Sequence, residues 1–220
     1  MDLWTRFNTN QNFIEQPLFA QEFGKPTPPA KKRDGVCIVL GTHPDWYEEI
    51  DAALRRYPDA DICGVNEAAR LLSCDHLATC HGERIDQFIE LHRQYHPRKP
   101  MPLIHLRDNM QAPKSLDVQH HLWPVRTMAG SAPFAAAAMV MLGYELVIFC
   151  GCPMTGGGGY AFDDTHGSTR DDPRIGFEGP QHGMIKSWHR YMRKFKDEQP
   201  EMAAKIRSMS GATKEIFGGL

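Results

Sequence analysis

Short apolar runs alternate with amphipathic stretches along most of the chain, beginning at residue 36. The run VCIVLG at residues 36–41 is continuously apolar and ends in glycine, which is typical of a strand buried on both faces of a sheet. The stretch after it, DWYEEIDAALRRYP, places Trp46, Ile50, Ala53 and Leu54 on one face of a helix. The pattern therefore predicts a β-strand followed by an α-helix.

The same alternation continues to the end of the chain. It predicts further strands at DICGVN, DHLATCHG, MPLIHLR, ELVIFCG and KIRSM. It predicts helices at EAARLL, ERIDQFIELHRQYH, PFAAAAMVMLGY, MIKSWHRYMRKFKDEQ and TKEIFG, while the stretch that runs to LWPVRTM is less regular. In the helix PFAAAAMVMLGY, Ser131 is the expected N-cap, Pro133 suits the first turn and Gly143 is the expected stop. Strands separated by helices predict a three-layer α/β domain of Rossmann-like build with a mainly parallel sheet.

The first 34 residues have a different character. The large apolar side chains of the first 23 residues follow no helical or alternating period, and the stretch GKPTPPAKKRDG after them has linker composition. We therefore expect an extended arm and linker at residues 1–34 and the α/β domain at residues 35–220. Such an aromatic arm is expected to lie across its own domain, a second copy or another protein.

Composition limits the possible partners and location. The 220 residues suit one domain, and a formal net charge of −2 gives no electrostatic case for nucleic acid or an anionic membrane. No apolar stretch approaches the roughly 18–20 residues of a membrane span, and the first residues lack the pattern of a secretory signal, so a cytoplasmic location is expected. The six cysteines occur without a CxxC pair, mostly in apolar runs, and are expected to be reduced core residues.

Small and polar residues gather where the predicted strands end. Because ligands of open α/β sheets bind outside the carboxyl ends of the strands, these positions are candidates for a nucleotide site. The candidates are Gly41, Thr42, Asn66, His81, Gly130, Ser131 and Gly151. Gly130–Ser131 opens a helix, where free N–H groups and the helix dipole can receive a phosphate. The alternative is that these residues serve only as turns and a helix cap.

Two familiar nucleotide motifs are absent from the sequence. The glycine run at residues 156–159 lacks the Lys-Ser/Thr of a P-loop, and no GxGxxG follows the first strand. His182 follows a loop rich in Gly, Asp and Pro and is the leading candidate for a general base, with His166 and His81 as competitors. A zinc site built from Asp163, Asp164, His166 and His182 would match no standard ligand spacing.

The segment GSAPFAAAAMVMLGYELVIFCGCPMTGGGGYAFD resembles the central motif of the bacterial sialyltransferases that modify lipo-oligosaccharides. The turn LGTHP, the strand DICGVN and the junction GPQHGMIKSW resemble further parts of that family. The same outline is shared by a wider group related to the archaeal 6-hydroxymethylpterin diphosphokinases, which includes proteins encoded by phages. The resemblance covers roughly residues 36–211.

The resemblance implies an inverting, metal-independent glycosyltransferase with a nucleotide-sugar donor. His182 would be the general base on the acceptor hydroxyl, and Tyr160 would donate a hydrogen bond to the departing phosphate. The other candidates would line the nucleotide pocket, and the glycine run would let a lid close over the donor. Thr42 stands where the family has asparagine, and Gly151-Cys152-Pro153 replaces its strand-end aspartate, so the donor base, sugar and acceptor stay open.

The sequence is also compatible with two other functions. One is a non-catalytic, virion-associated or assembly protein of phage origin that docks through residues 1–23, in a homo-oligomer or on another protein. The other is a pterin-type diphosphokinase, whose divalent cation would be held by the carboxylates of the loop, namely Asp163, Asp164, Asp171 and Asp172.

Overall fold

The computed structural model describes residues 35–107, 116–123, 130–154 and 181–220, apart from the side chains of residues 181–187. These residues form strands and α-helices in the order β1 Val36–Leu40, α1 Trp46–Arg56, β2 Asp61–Val65, β3 His76–Thr79, α2 Ile85–Tyr95, β4 Leu103–Arg107, β5 His120–Trp123, α3 Ser131–Leu142, β6 Leu146–Cys150, α4 Gln181–Glu198, α5 Pro200–Ala203, β7 Ile206–Ser208 and α6 Gly211–Phe217. Short 3-10 turns occupy Asn66–Arg70 and Gly82–Arg84. The predicted arm at residues 1–34 lies outside the described residues.

The seven strands form one sheet in the order β5-β4-β3-β2-β1-β6-β7, and every neighbouring pair is parallel. Ile38 of β1 lies in register with Ile62 of β2 on one side and Ile148 of β6 on the other. The chain runs outward from β1 to β5 and returns through α3 to β6. The predicted α/β class and parallel sheet are confirmed.

Alternate residues of each strand face two different helical layers. In β1, Cys37 and Val39 belong to the core under α3, α4, α5 and α6, whereas Ile38 and Leu40 face α1. Leu77 and Ile104 from β3 and β4 pack on α2 in the same outer layer as α1. Side chains of a strand alternate between the two faces of the sheet, and here both faces are covered by helices. Each strand is therefore a continuous apolar run in the sequence.

Helix α3 is apolar on every side and is buried accordingly. All of its residues except Met141 are buried, and it crosses several strands of the sheet. It ends at Gly143, whose φ of 117° is a left-handed conformation and whose N–H reaches the carbonyls of Met139 and Val140. The predicted stop is therefore confirmed.

The start of α3 differs from the prediction. The helix begins at Ser131 itself, and the N-cap position is Gly130, which has a φ of 92° and no side chain to cap with. The Ser131 hydroxyl instead accepts a hydrogen bond from the Cys80 N–H at 3.1 Å. The N-cap role was wrong because the helix begins one residue earlier than predicted and the serine side chain is bonded to Cys80, just after β3, a contact that local sequence does not reveal.

A chain of hydrogen bonds lies buried between the sheet and the end of α3. Trp123 Nε1 donates to His105 Nδ1 at 2.9 Å, and the other ring nitrogen of His105 lies 3.0 Å from His76 Nδ1. His76 Nε2 lies 2.8 Å from the Tyr144 hydroxyl, which donates to Asp61. The first four side chains are fully buried, so this polar chain crosses the sheet from β5 to β2 inside the core.

Three smaller elements differ from the sequence prediction. β5 falls in the stretch with the less regular pattern, a 3-10 turn at Asn66–Arg70 replaces the helix predicted at EAARLL, and the single-turn helix α5 was not predicted. Among the helices of the described ranges, none combines the length and apolarity that a bilayer crossing requires.

All six cysteines are buried and none forms a disulfide, which agrees with the prediction of reduced core residues. Burial raises the pKa of Cys74 to about 12 and that of Cys80 to about 11. Both thiols therefore stay protonated at neutral pH and are poor nucleophiles.

Candidate functional site

The parallel sheet brings the predicted strand-end residues to one edge of the molecule. Five of them follow strand ends directly or within two residues, namely Gly41, Thr42, Asn66, His81 and Gly151. The other two, Gly130 and Ser131, reach the same edge because Ser131 and Gly130 both contact Cys80, the first residue after β3. The edge therefore gathers all seven predicted nucleotide-site positions, whose ligand remains a prediction.

The end of β3 organises the side chains around it. The Thr79 hydroxyl donates to Asn66 Oδ1 at 2.7 Å and accepts from the His81 N–H at 2.9 Å. Asn66 has a φ of 54°, a left-handed conformation that asparagine tolerates better than most residues. The Asn66 oxygen is thus held by Thr79, whereas the structure shows no described residue that accepts a hydrogen bond from the Asn66 NH2 group.

The first turn of α3 faces this same point. With glycine at the N-cap, no side chain satisfies the N–H groups of the first turn within the described chain. A helix of twelve residues carries a partial positive charge at this end, which favours an anion beside Gly130 and Ser131.

Arg107 adds a full positive charge at this edge. It is the last residue of β4, the neighbour of β3. Burial raises the pKa of the Cys80 thiol, and the positive charge of Arg107 opposes part of that rise. Sequence reasoning missed Arg107, although a basic residue at the carboxyl end of the apolar run MPLIHLR was the available signal.

The position between β1 and β6, where the strand order reverses, is closed by the protein itself. Gly41 N–H donates to the Cys150 carbonyl at 2.8 Å, and Gly151 N–H donates to the buried carboxylate of Glu49 at 2.6 Å. The N–H groups of both predicted glycines are therefore already bonded. Sequence reasoning missed Glu49, which is more than 100 residues from its partner.

Helix α4 adjoins the site through two side chains. His189 Nε2 donates to the Met154 carbonyl at 2.7 Å, just after β6. Trp188 Nε1 lies 3.6 Å from the point that a Cβ on Gly130 would occupy. The hydrogen bond of His189 holds α4 against the edge that carries the predicted residues, and Trp188 lies beside Gly130 there.

The two predicted catalytic residues are only partly described. His182 is the second residue of α4, seven residues before His189, so its backbone lies about 10 Å further toward the start of the helix. Tyr160 lies outside the described residues, as do His166, Asp163, Asp164, Asp171 and Asp172. The pairing of His182 with Tyr160 therefore remains a prediction.

His81 brings an ionisable side chain to the described edge. Its ring is half exposed and Nδ1 lies 3.2 Å from a Glu83 carboxylate oxygen. Across the described ranges, no three His, Cys, Asp or Glu side chains are arranged to hold a metal ion together.

Comparison of the chain with models of protein families gave no match. Comparisons with characterised proteins and with solved structures also gave no match.

Proposed function

We propose that this protein is a nucleotide-dependent transferase whose donor nucleotide binds at the carboxyl edge of the sheet. One observation carries the proposal: three groups that attract an anion surround the end of β3. They are the Asn66 amide held by Thr79, the Arg107 guanidinium near Cys80, and the first turn of α3 joined to Cys80 through Ser131. A phosphate placed there would meet donors from three different elements.

This arrangement suits a reaction in which a nucleotide phosphate is the leaving group. Negative charge grows on the departing phosphate, and fixed donors that await it lower the barrier to transfer. Arg107 and the N–H groups of α3 would supply this stabilisation, with Thr42 and His81 beside them. Gly41 and Gly151 would contribute by keeping the two central turns, those after β1 and β6, close together.

The resemblance to the lipo-oligosaccharide sialyltransferases gives the proposal its reaction class. By that resemblance the donor is a nucleotide-sugar, His182 removes the proton from an acceptor hydroxyl, and Tyr160 donates to the departing phosphate. The position of His182 on α4, which is held against the edge by His189, is compatible with this role. The acceptor attacks the sugar carbon directly, so the configuration of that carbon inverts.

A nucleotide panel tests the binding part of the proposal. At least one of the cytidine, uridine, guanosine and adenosine diphosphates is expected to raise the melting temperature, because a ligand that binds only the native state stabilises it. Replacement of Arg107 with glutamine is expected to weaken that nucleotide about ten-fold or more, since it removes a charged donor to phosphate. Isothermal titration calorimetry gives the two dissociation constants.

Arg98→Gln is the matched control for this experiment. Arg98 is exposed and precedes β4, whereas Arg107 ends it, so the two variants change the same charge at opposite edges of the sheet. The control is expected to bind the nucleotide as the unchanged protein does. No response to any nucleotide, or equal weakening in both variants, contradicts the proposed site.

His182→Ala tests the transfer step separately. With the nucleotide-sugar that matches the panel result, release of nucleotide is expected to fall by about 10²- to 10⁴-fold, the usual contribution of a general base. Nucleotide affinity is expected to change little, because the base acts on the acceptor. The control is His120→Ala on the edge strand β5. An unchanged rate in His182→Ala would refute its assignment.

A further inference from the structure

A pair of histidine side chains lies at the end of α2, away from the proposed nucleotide site. His92 is in the last turn of α2 and His96 follows the helix, so the two are four residues apart and their rings meet. The ring centroids are 5.3 Å apart, with an angle of 47° between the ring planes.

The hydrogen bond of His92 fixes which nitrogen is available. Its side chain is fully buried, and Nε2 lies 3.1 Å from the Pro100 carbonyl, which can only accept. Nε2 therefore carries the proton and Nδ1 carries the lone pair. Burial lowers the pKa of His92, so this neutral form is the one present at neutral pH.

Two nitrogens of this pair lack a hydrogen-bond partner in the described structure. They are Nδ1 of His92 and Nε2 of His96, and both atoms are buried. Leaving a buried polar atom without a partner is costly, and native proteins rarely do so without a ligand or an ordered water molecule. The pair is therefore poised to accept a group that binds two imidazole nitrogens.

We propose that His92 and His96 form a chelating site for a divalent transition-metal ion of the zinc class. Imidazole nitrogen is a preferred ligand of such ions, with bonds of about 2.0–2.1 Å. A tetrahedral ion with bonds of that length holds its two nitrogens about 3.4 Å apart. Ring centroids at 5.3 Å accommodate that span.

The Pro100 carbonyl acts as the outer partner that such sites commonly use. A metal-bound histidine usually donates its other N–H to a carbonyl or carboxylate, which fixes the ring and its tautomer. His92 has this arrangement before any ion binds. Since the described residues offer no third His, Cys, Asp or Glu in reach, solvent would complete the coordination.

Zinc titration of the full-length protein tests the site. The protein is first treated with a chelator, and Zn²⁺ binding is then measured by calorimetry and by the shift in melting temperature. His96→Gln is the primary variant because His96 is only half-buried and follows the helix, so the fold should tolerate the change. The variant is expected to weaken the site at least ten-fold, and His92→Gln is expected to do the same.

His120→Gln is the matched control, because it removes one partly buried imidazole elsewhere and leaves the pair intact. It is expected to bind Zn²⁺ as the unchanged protein does. Co²⁺ provides a spectroscopic readout, since its visible absorption reports nitrogen ligands in the intact protein and should lose intensity in His96→Gln. Equal Zn²⁺ affinity in the unchanged protein and His96→Gln would overturn the proposal and leave a bridging water molecule as the occupant.

Discussion

Replacement of Gly41 with alanine is expected to lower the free energy of unfolding by about 3 kcal/mol, because the new methyl group has no room. Its Cβ would lie 2.3 Å from the Gly151 carbonyl oxygen and 2.5 Å from Cys152 Sγ. The first of these is backbone, and it cannot retreat easily because His43 N–H donates to that same oxygen at 3.1 Å. Urea unfolding followed by circular dichroism measures the loss.

Gly219→Ala is the control for this substitution. The nearest atom to its added Cβ would be Lys214 Cε at 2.8 Å, which belongs to a flexible side chain that can move aside. We expect Gly219→Ala to change the stability by about 0.5 kcal/mol or less, as is usual for sites without a structural constraint. A Gly41→Ala protein as stable as this control would show that the two central turns are not packed as described.

The position of Gly41 also explains why the proposed nucleotide site lies off the centre of the sheet. In open α/β sheets the reversal of strand order usually leaves a crevice for the ligand. Here that crevice is occupied by the contact of Gly41 with Gly151 and by the bond from Gly151 to Glu49. The glycines at these strand ends thus permit close packing of the chain on itself. This agrees with the alternative role that the sequence suggested for them, that of turn residues.

Local pattern was sufficient to predict most of the fold. The strands with continuous apolar runs and the helices with a regular apolar face were predicted because neighbouring residues alone show which side chains are buried. β5 was missed for the same reason: in HHLW only Trp123 is fully buried, and two adjacent histidines hide the strand signal. An edge strand buries fewer side chains and so leaves a weaker pattern.

The candidate site could be predicted in its positions but not in its interactions. Turn residues after each strand are local, so Asn66 and His81 were found without the fold. The bonds from Thr79 to Asn66, from Cys80 to Ser131 and from Gly151 to Glu49 join residues 13, 51 and 102 positions apart. Their existence depends on which strands are neighbours, and no short stretch of sequence contains that information.

The buried histidines of β3 and β4 show the same limit. His76 begins β3 and His105 interrupts the apolar run of β4, and a histidine at such a position gives no sign of its partner. Once the sheet order places β2, β3, β4 and β5 side by side, the polar side chains on the face under α3 form one continuous chain. Pairing them removes most of the penalty for burying polar groups in the core.

The direction of every bond in this chain follows from its first donor. An indole N–H can only donate, so His105 Nδ1 accepts from Trp123 and the proton of the neutral His105 ring is on Nε2. His105 Nε2 then donates to His76 Nδ1, which places the proton of His76 on Nε2. His76 in turn donates to the Tyr144 oxygen, and the Tyr144 hydroxyl donates to Asp61. Tyr144 is thus the link between the neutral ring of His76 and the carboxylate of Asp61.

Tyr144→Phe is expected to lower the free energy of unfolding by about 3 kcal/mol, because it removes both bonds of that link, one of them to a charged group. Urea unfolding gives the value. Tyr57→Phe is the matched control, since its ring packs partly buried against the core beside α1 and its hydroxyl bonds to no described residue. A change of about 0.5 kcal/mol or less is expected there. Equal losses in the two variants would mean that the Tyr144 hydroxyl adds nothing beyond its ring, and would contradict the directional chain from Trp123 to Asp61.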